Sequence, residues 1–333
     1  KICRINNTTV LLQLKMRSLN DLQQHIEQWL TENKLQRHPI SLYEPIHYLL
    51  ALGGKRIRPL LVAVGCEMFA NDQLALARPI ALAVEYFHNF SLMHDDIMDN
   101  AHQRRGKATV HTRYNLNTAI LSGDAMLVHS YRFLETLPSQ LLLQVLPIFT
   151  QTAIEVCEGQ QWDMQFEQQN NVSTEQYIDM ITGKTAVLLA AALQMGALAG
   201  GASFADSQHL YEFGKQIGIA FQLQDDILDT FGDAERFGKK IGGDIIQNKK
   251  TFLLLQALQV AEESKRQELE QWLQNHQQPN EKIVAVTQIY RQLNVLEAAE
   301  AALQQHHAQA FEHLDQIKLP DSNQATLLAV VQQ

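Results

Sequence analysis

The residues with the clearest capacity for chemistry are Asp95-Asp96-Ile97-Met98-Asp99. Asp95 and Asp99 stand at i and i+4, so on a helix their carboxylates lie on one face and can share a cation. The same pattern returns at Asp225-Asp226-Ile227-Leu228-Asp229. Each triplet ends an apolar stretch with helical spacing. Like charges so placed repel, and acids at a helix C-terminus oppose the macrodipole, so something positive must compensate. Carboxylate sets of this kind are hard-oxygen sites suited to Mg²⁺, which keeps several waters and takes phosphate oxygens as further ligands. One such cluster reads equally well as a solvated helix end. Two copies, each followed by lysines or arginines, do not.

The positive residues come in small packets: Lys55-Arg56-Ile57-Arg58, Arg104-Arg105-Gly106-Lys107, Lys239-Lys240 and Lys249-Lys250. Packets of that size suit small anions once a fold gathers them. With a net charge of −9 and no basic stripe, a nucleic-acid partner is not expected.

Helices must position these groups. Only 8 prolines and 16 glycines punctuate 333 residues, and Ala, Leu, Gln and Glu are abundant. The spacing predicts helices near 18–30, 45–52, 60–69, 77–100, 119–134, 140–157, 174 to beyond 186, and 208–229. Asn20-Asp21 offers capping side chains for the first, and Pro45 reads as the start of the second. The segment 231–248, rich in Gly, Lys and Asp, reads as a loop. The tail from Phe252 reads as a series of amphipathic helices. No linker or fixed-period repeat divides the chain, which gives a single all-α domain over 16–333. Residues 1–15 are expected to be a disordered or non-native extension.

Cys3, Cys66 and Cys157 are too scattered for a disulfide framework or a zinc site, so a reducing compartment is the simpler reading. No uninterrupted apolar run reaches the roughly 18 residues of a spanning helix. The first residues make a poor signal peptide. A cytoplasmic protein without stable membrane insertion is the expectation.

In these motifs the sequence resembles the trans-isoprenyl diphosphate synthase (polyprenyl synthetase) family, from about Tyr43 to Phe252. Beyond the aspartate triplets, the likeness rests on Gly53-Gly54-Lys55-Arg56-Ile57-Arg58-Pro59, Arg104-Arg105-Gly106, Gly123-Asp124 and Gly159-Gln160-Gln161-Trp162-Asp163. It continues through Gly183-Lys184-Thr185 and Gly238-Lys239-Lys240-Ile241-Gly242-Gly243-Asp244 to Lys249-Lys250-Thr251. The resemblance implies a large helical bundle around a central cavity, usually a homodimer. It implies condensation of isopentenyl diphosphate with an allylic diphosphate, with three Mg²⁺ per site.

It also implies roles for particular residues. Asp95, Asp99 and Asp225 would ligate metal directly, with Asp96, Asp226 and Asp229 assisting through water or neighbouring bonds. Arg104, Lys184, Lys239 and Lys249 would hold the allylic diphosphate, and Thr185 and Gln222 would face the carbocation. Lys55, Arg58, His88 and Arg105 would bind isopentenyl diphosphate. A lone His on an apolar helix is more often a core hydrogen-bonder, so His88 rests on the resemblance alone. Phe90, five residues before Asp95, with Tyr86 and Phe87 behind it, would floor a shallow cavity and favour a C15 or C20 product. The two residues that common bacterial farnesyl synthases insert in the first motif are missing here, which keeps C20 as plausible as C15.

Three rival readings remain, one of them a catalytically dead regulatory subunit, which would be expected to lose one of the two acidic motifs. A terpene cyclase shares an Asp-rich motif, but its second metal site has a different Asn/Ser/Glu-type pattern. A non-catalytic carboxylate bundle could use Glu44-Pro45-Ile46-His47 and Glu85-Tyr86-Phe87-His88, both Glu-x-x-His, but needs two more inward glutamates.

Overall fold

Ser18 is the N-cap of the first helix, and Asp21, one of the two expected capping side chains, completes the cap. Its hydroxyl accepts from the Asp21 N–H at 3.2 Å while the Asp21 carboxylate accepts from the Ser18 N–H at 3.2 Å, closing a capping box. The protein is described by a computed structural model covering residues 17–70, 72–169, 171–232, 241–319 and 321–332. The expected extension at 1–15 and the residues Gly238, Lys239 and Lys240 lie outside the described residues.

The first half runs α1 (Leu19–Glu32), α2 (Ile40–Ala51), α3 (Ile57–Phe69), α4 (Leu74–Met98), a hairpin of β1 (Gln103–Arg104) and β2 (Lys107–Ala108), α5 (Val110–Arg113), α6 (Leu116–Leu134) and α7 (Ser139–Gln168). α8 (Thr174–Ile181) passes through a π-helical turn, Thr182–Ala186, into α9 (Val187–Ala199), and α10 (Phe204–Phe231) follows. The tail holds α11 (Gly243–Gln247), α12 (Phe252–Val260), α13 (Glu263–Gln274), α14 (Pro279–Gln292), α15 (Val295–Leu314) and α16 (Asp321–Val331).

Two expectations about elements are corrected. α2 starts at Ile40 behind Pro39, so Pro45 sits inside the helix, where its missing N–H costs one backbone bond and its ring is buried. The supposed loop 231–248 contains the short helix α11.

Each aspartate triplet is anchored in its own apolar cluster. α4 sinks Phe87, Phe90 and Met93 into a core shared with α3, α6, α7 and α9. α9 is buried along its whole length, as its unbroken apolar sequence requires. The last turns of α10 instead place Ile219 and Leu223 among Tyr177, Ile181, Ile245, Leu253 and Tyr290. Two stretches, Ser139–Gln168 and Thr174–Ala199, are long and apolar enough to cross a membrane by length and composition. The second is mostly buried in the protein's own core; the first leaves apolar side chains on the surface.

Candidate active site

α4 ends at the first triplet. Asp99 caps the helix and is exposed, Asp95 is half-buried, and Asp96 is 2% exposed. Asp96 is held by the hairpin that follows. Arg105 and Gly106 occupy its turn with φ of 54° and 72°, the left-handed pair of a tight two-residue connection. The turn folds Arg104 back onto the helix end. Its Nε donates to Asp96 Oδ1 and Oδ2 at 2.9 and 3.0 Å, and its Nη2 lies 3.3 Å from Asp95 Oδ2. Burial would lower the Arg104 pKa, but the bond from Asp96 and the charges of Asp95 and Asp99 outweigh it and hold it above the usual value. Asp99 is pushed up to about 6, first by burial and then by Asp95.

α10 ends at the second triplet in a parallel way. Asp225 is exposed, Asp229 is half-buried, and Asp226 is 3% exposed. Among the described residues no cation holds Asp226 in the way Arg104 holds Asp96. Tyr177 Oη donates to its Oδ2 at 2.5 Å, Gln222 Nε2 to its Oδ1 at 3.3 Å, and the Phe252 N–H to its Oδ2 at 3.4 Å. Burial dominates and pushes Asp226 up to about 7 against these donors. Asp229 Oδ2 accepts from the Asp244 N–H at 3.0 Å, tying the triplet to α11.

Lys184 stands beside the first triplet. Its Nζ lies 3.2 Å from Asp95 Oδ1 and donates to Asp163 Oδ2 of α7 at 2.5 Å. The π-helical turn puts it there, a local widening of the kind frequent at functional sites. That turn presses against α7 at two glycines. A Cβ on Gly159 would meet Lys184 N at 2.2 Å, and one on Gly183 would meet Glu155 O at 2.9 Å. Asp163 follows Gly159 by one helical turn and so faces the lysine. Lys249, from the segment after α11, lies 3.9 Å from Asp244 Oδ1. The charges of Lys184, Asp163 and Lys249 all act on Asp99, so the three lie near it. Thr185 is half-buried beside Lys184.

A second basic group lies beneath the loop before α3. Arg58 Nη1 and His88 Nε2 are 3.2 Å apart. Burial, then the charges of Arg58, Arg105, Arg104 and Arg56, keep His88 neutral, with its pKa well below the ordinary value. Burial draws Arg58 down to about 10, so it stays charged at neutral pH. Arg105 donates to the Gly53 carbonyl, and its guanidinium occupies the space a side chain on Gly54 would need. Lys55 is exposed in the same loop.

Sequence reasoning assigned no role to Arg56, Asp163, Tyr177 or Asp244, and considered Glu85 only for a metal-binding bundle. Arg56 is the buried member of its packet, turned inward by a φ of 49° to pair with Glu85 Oε1 at 2.6 Å. Asn89 Nδ2 donates to the same Glu85 oxygen at 2.8 Å, which fixes α4 one turn from His88. Glu85 is thereby engaged, and Glu44 meets Tyr114 Oη at 3.3 Å, so neither Glu-x-x-His pair serves a metal bundle. Polarity in a buried helix was the signal that could have found Glu85 and Asn89.

An all-oxygen set on two helix ends fits a hard divalent cation. Asp95 Oδ1 is buried and makes no hydrogen bond of good geometry, leaving a lone pair for one. Among the described residues no three His, Cys, Asp or Glu side chains converge on one point. That suits an ion which completes its shell with waters and phosphate oxygens.

The family model for polyprenyl synthetases matches residues 39–293. The chain belongs to the polyprenyl synthetase family. It is 40% identical over 253 residues to a short chain isoprenyl diphosphate synthase of Methanocaldococcus jannaschii, a match spanning 75% of this chain and 76% of that one. A crystal structure of a geranylgeranyl pyrophosphate synthase superposes with a TM-score of 0.90 at 40% identity, covering 96% and 99% of the two chains. A geranylgeranyl pyrophosphate synthase from Corynebacterium glutamicum, complexed with isoprenyl diphosphate and magnesium, superposes at 0.80 with 29% identity, covering 94% and 96%. The relatives are prenyl diphosphate synthases, a class of transferase, and the fold is their all-α isoprenoid synthase fold.

Proposed function

We propose that this polyprenyl synthetase condenses isopentenyl diphosphate head-to-tail with dimethylallyl, geranyl or farnesyl diphosphate, giving a C15–C20 trans-prenyl diphosphate and pyrophosphate. The observation that carries the reading is the alternation of cation and carboxylate around one cleft: Arg104, Asp95, Lys184, Asp163 and Lys249. A site that must bind a diphosphate with divalent cations needs both signs interleaved.

Asp95, Asp99 and Asp225 would hold Mg²⁺, with Asp229 adjoining. Mg²⁺ when bound supplies Lewis-acid neutralisation of the leaving diphosphate. Arg104, Lys184 and Lys249 bind the allylic diphosphate oxygens and favour charge as it develops there. The C1–O bond breaks and the pyrophosphate leaves with the electron pair. Thr185 and Gln222 offer neutral oxygens toward the allylic cation. The C3–C4 double bond of isopentenyl diphosphate attacks C1, and the proton then lost passes to the departing pyrophosphate. Lys55, Arg58 and Arg105, with neutral His88, hold the diphosphate that is kept; guanidinium forks suit its paired oxygens.

A short product is favoured by aromatic rings below the first triplet. The Phe90 ring lies 5.5 Å from Phe87 and 4.8 Å from His94, and Phe87 lies 5.5 Å from Phe149. A homodimer is supported by the apolar outer face of α6 and α7, where Leu121, Val128, Leu143 and Ile154 are exposed. A cytoplasmic protein without membrane insertion is the reading favoured by the scattered cysteines.

The test is to incubate the protein with Mg²⁺, labelled isopentenyl diphosphate and each primer, then size the dephosphorylated products. A C15 or C20 alcohol that disappears with EDTA is expected, and Phe90→Ala should lengthen it by at least one isoprene unit. A cyclic hydrocarbon, or no elongation with any primer, would overturn the reading. Chains of C30 or longer from the unaltered protein would discard the Phe90 floor.

A further inference from the structure

Lys282 is a buried cation with no carboxylate partner among the described residues. It sits in the first turn of α14, is 1% exposed, and is among the largest fully buried side chains of the protein. Its Nζ donates to Asn248 Oδ1 at 2.6 Å and to the Leu273 carbonyl at 3.3 Å. Burial of an ammonium costs free energy unless its donors are satisfied, and burial lowers the Lys282 pKa. The α14 N-terminus also disfavours positive charge, and only the carbonyl end of α13 favours it. A methionine would fill the same space without that cost.

The acceptor shows what the ammonium holds. Asn248 ends α11 in the left-handed region, with φ of 56° and ψ of 34°. Its Nδ2 donates to Leu273 O at 2.8 Å, so lysine, asparagine and carbonyl close a triangle joining α11, α13 and α14. The chain leaves that turn directly into Lys249, whose N–H bonds the Asp244 carbonyl at 2.9 Å. Asp244 in turn gives its N–H to Asp229. The Lys249 side chain is about half exposed and 3.9 Å from its nearest carboxylate, so its own ion pair holds it weakly. The backbone turn sets its direction.

We propose that Lys282 is a positioning residue for the allylic-diphosphate half of the site, acting through Asn248 on the turn that aims Lys249 into the cleft. The inference rests on the proposed function for its ligand, yet its test does not need elongation. Bind inorganic pyrophosphate with Mg²⁺ to the full chain by calorimetry, for the unaltered protein, Lys282→Met, Asn248→Ala and the double variant. Lys282→Met should melt at the same or a higher temperature and bind pyrophosphate about tenfold more weakly. Asn248→Ala changes no charge and should weaken it similarly, with the double variant no worse than either single one. In elongation assays the allylic KM should rise with that for isopentenyl diphosphate unmoved.

Full affinity in Lys282→Met or an intact Asn248→Ala would each overturn the proposal. So would a lowered melting temperature with both KM values rising together. Absence of elongation in the unaltered protein would count against the proposed function and leave the pyrophosphate comparison standing.

Discussion

The two aspartate triplets share a spelling and differ in how the middle carboxyl is held. Asp96 is neutralised by the guanidinium of Arg104, itself a candidate ligand for the allylic diphosphate. Asp226 is held by neutral donors, Tyr177, Gln222 and the Phe252 N–H, and its pKa rises to about 7. In the first motif, then, substrate binding and the acidic helix end depend on one cation that serves both. In the second, burial raises the middle carboxyl to about 7 against neutral donors, as it also raises Asp96 against Arg104. Local context has made two motifs with one pattern electrostatically unlike.

Arg104→Met should break the comparison most strongly. It removes a cation from the diphosphate and strands Asp96 in the protein interior. We expect kcat/KM to fall roughly 100-fold, most of it in the allylic KM, with a melting temperature several degrees lower. A fall below threefold would mean that Arg104 is structural at most.

The second effect is a pH dependence. Asp226 holds its proton more tightly folded, at about 7, than at its ordinary value of 3.8. Its contribution to stability is therefore whole below about pH 4 and is lost as the pH rises through 7, since the native state then binds more protons than the unfolded one. Without Mg²⁺, Asp226→Asn should melt a few degrees above the unaltered protein at pH 8 and level with it at pH 4. Asp96 is raised by burial too, but Arg104 opposes the shift, so Asp96→Asn should show a smaller gain and lose the Arg104 pair. Matching curves for the two variants would erase the distinction drawn between the motifs.

The smallest effect is expected from Tyr177→Phe. It deletes one donor to Asp226 and should cost about 1 kcal/mol in denaturant unfolding at pH 8. The Tyr177 hydroxyl lowers the Asp226 pKa, so its loss should move the midpoint of the stability–pH curve upward. A downward move would mean that the hydroxyl does not donate to the carboxylate.

Much of this was legible in the chain. Asp95, Asp99 and the matching residues at 225 and 229 announce themselves by spacing, and the scarcity of breakers gives the helical class. What escaped the sequence was direction. Nothing in Lys55-Arg56-Ile57-Arg58 says that Arg56 turns inward to Glu85; a single left-handed residue decides it. Thr182–Ala186 reads as ordinary helix, and only close passage of Gly159 past Gly183 shows why the backbone widens there. Tyr177 and Lys282 lie 49 and 34 residues from the partners they hold, beyond the reach of any local pattern.

The central claim is that both triplets serve one leaving diphosphate. The most direct measurement is pyrophosphate released per isopentenyl diphosphate consumed, with Mg²⁺, for the unaltered protein, Asp95→Ala and Asp225→Ala. The account predicts a one-to-one ratio, and a loss of about 10³-fold or more in rate in each variant, with the fold unchanged. Near-normal turnover in either variant would show that one acidic helix end is dispensable, and would contradict it.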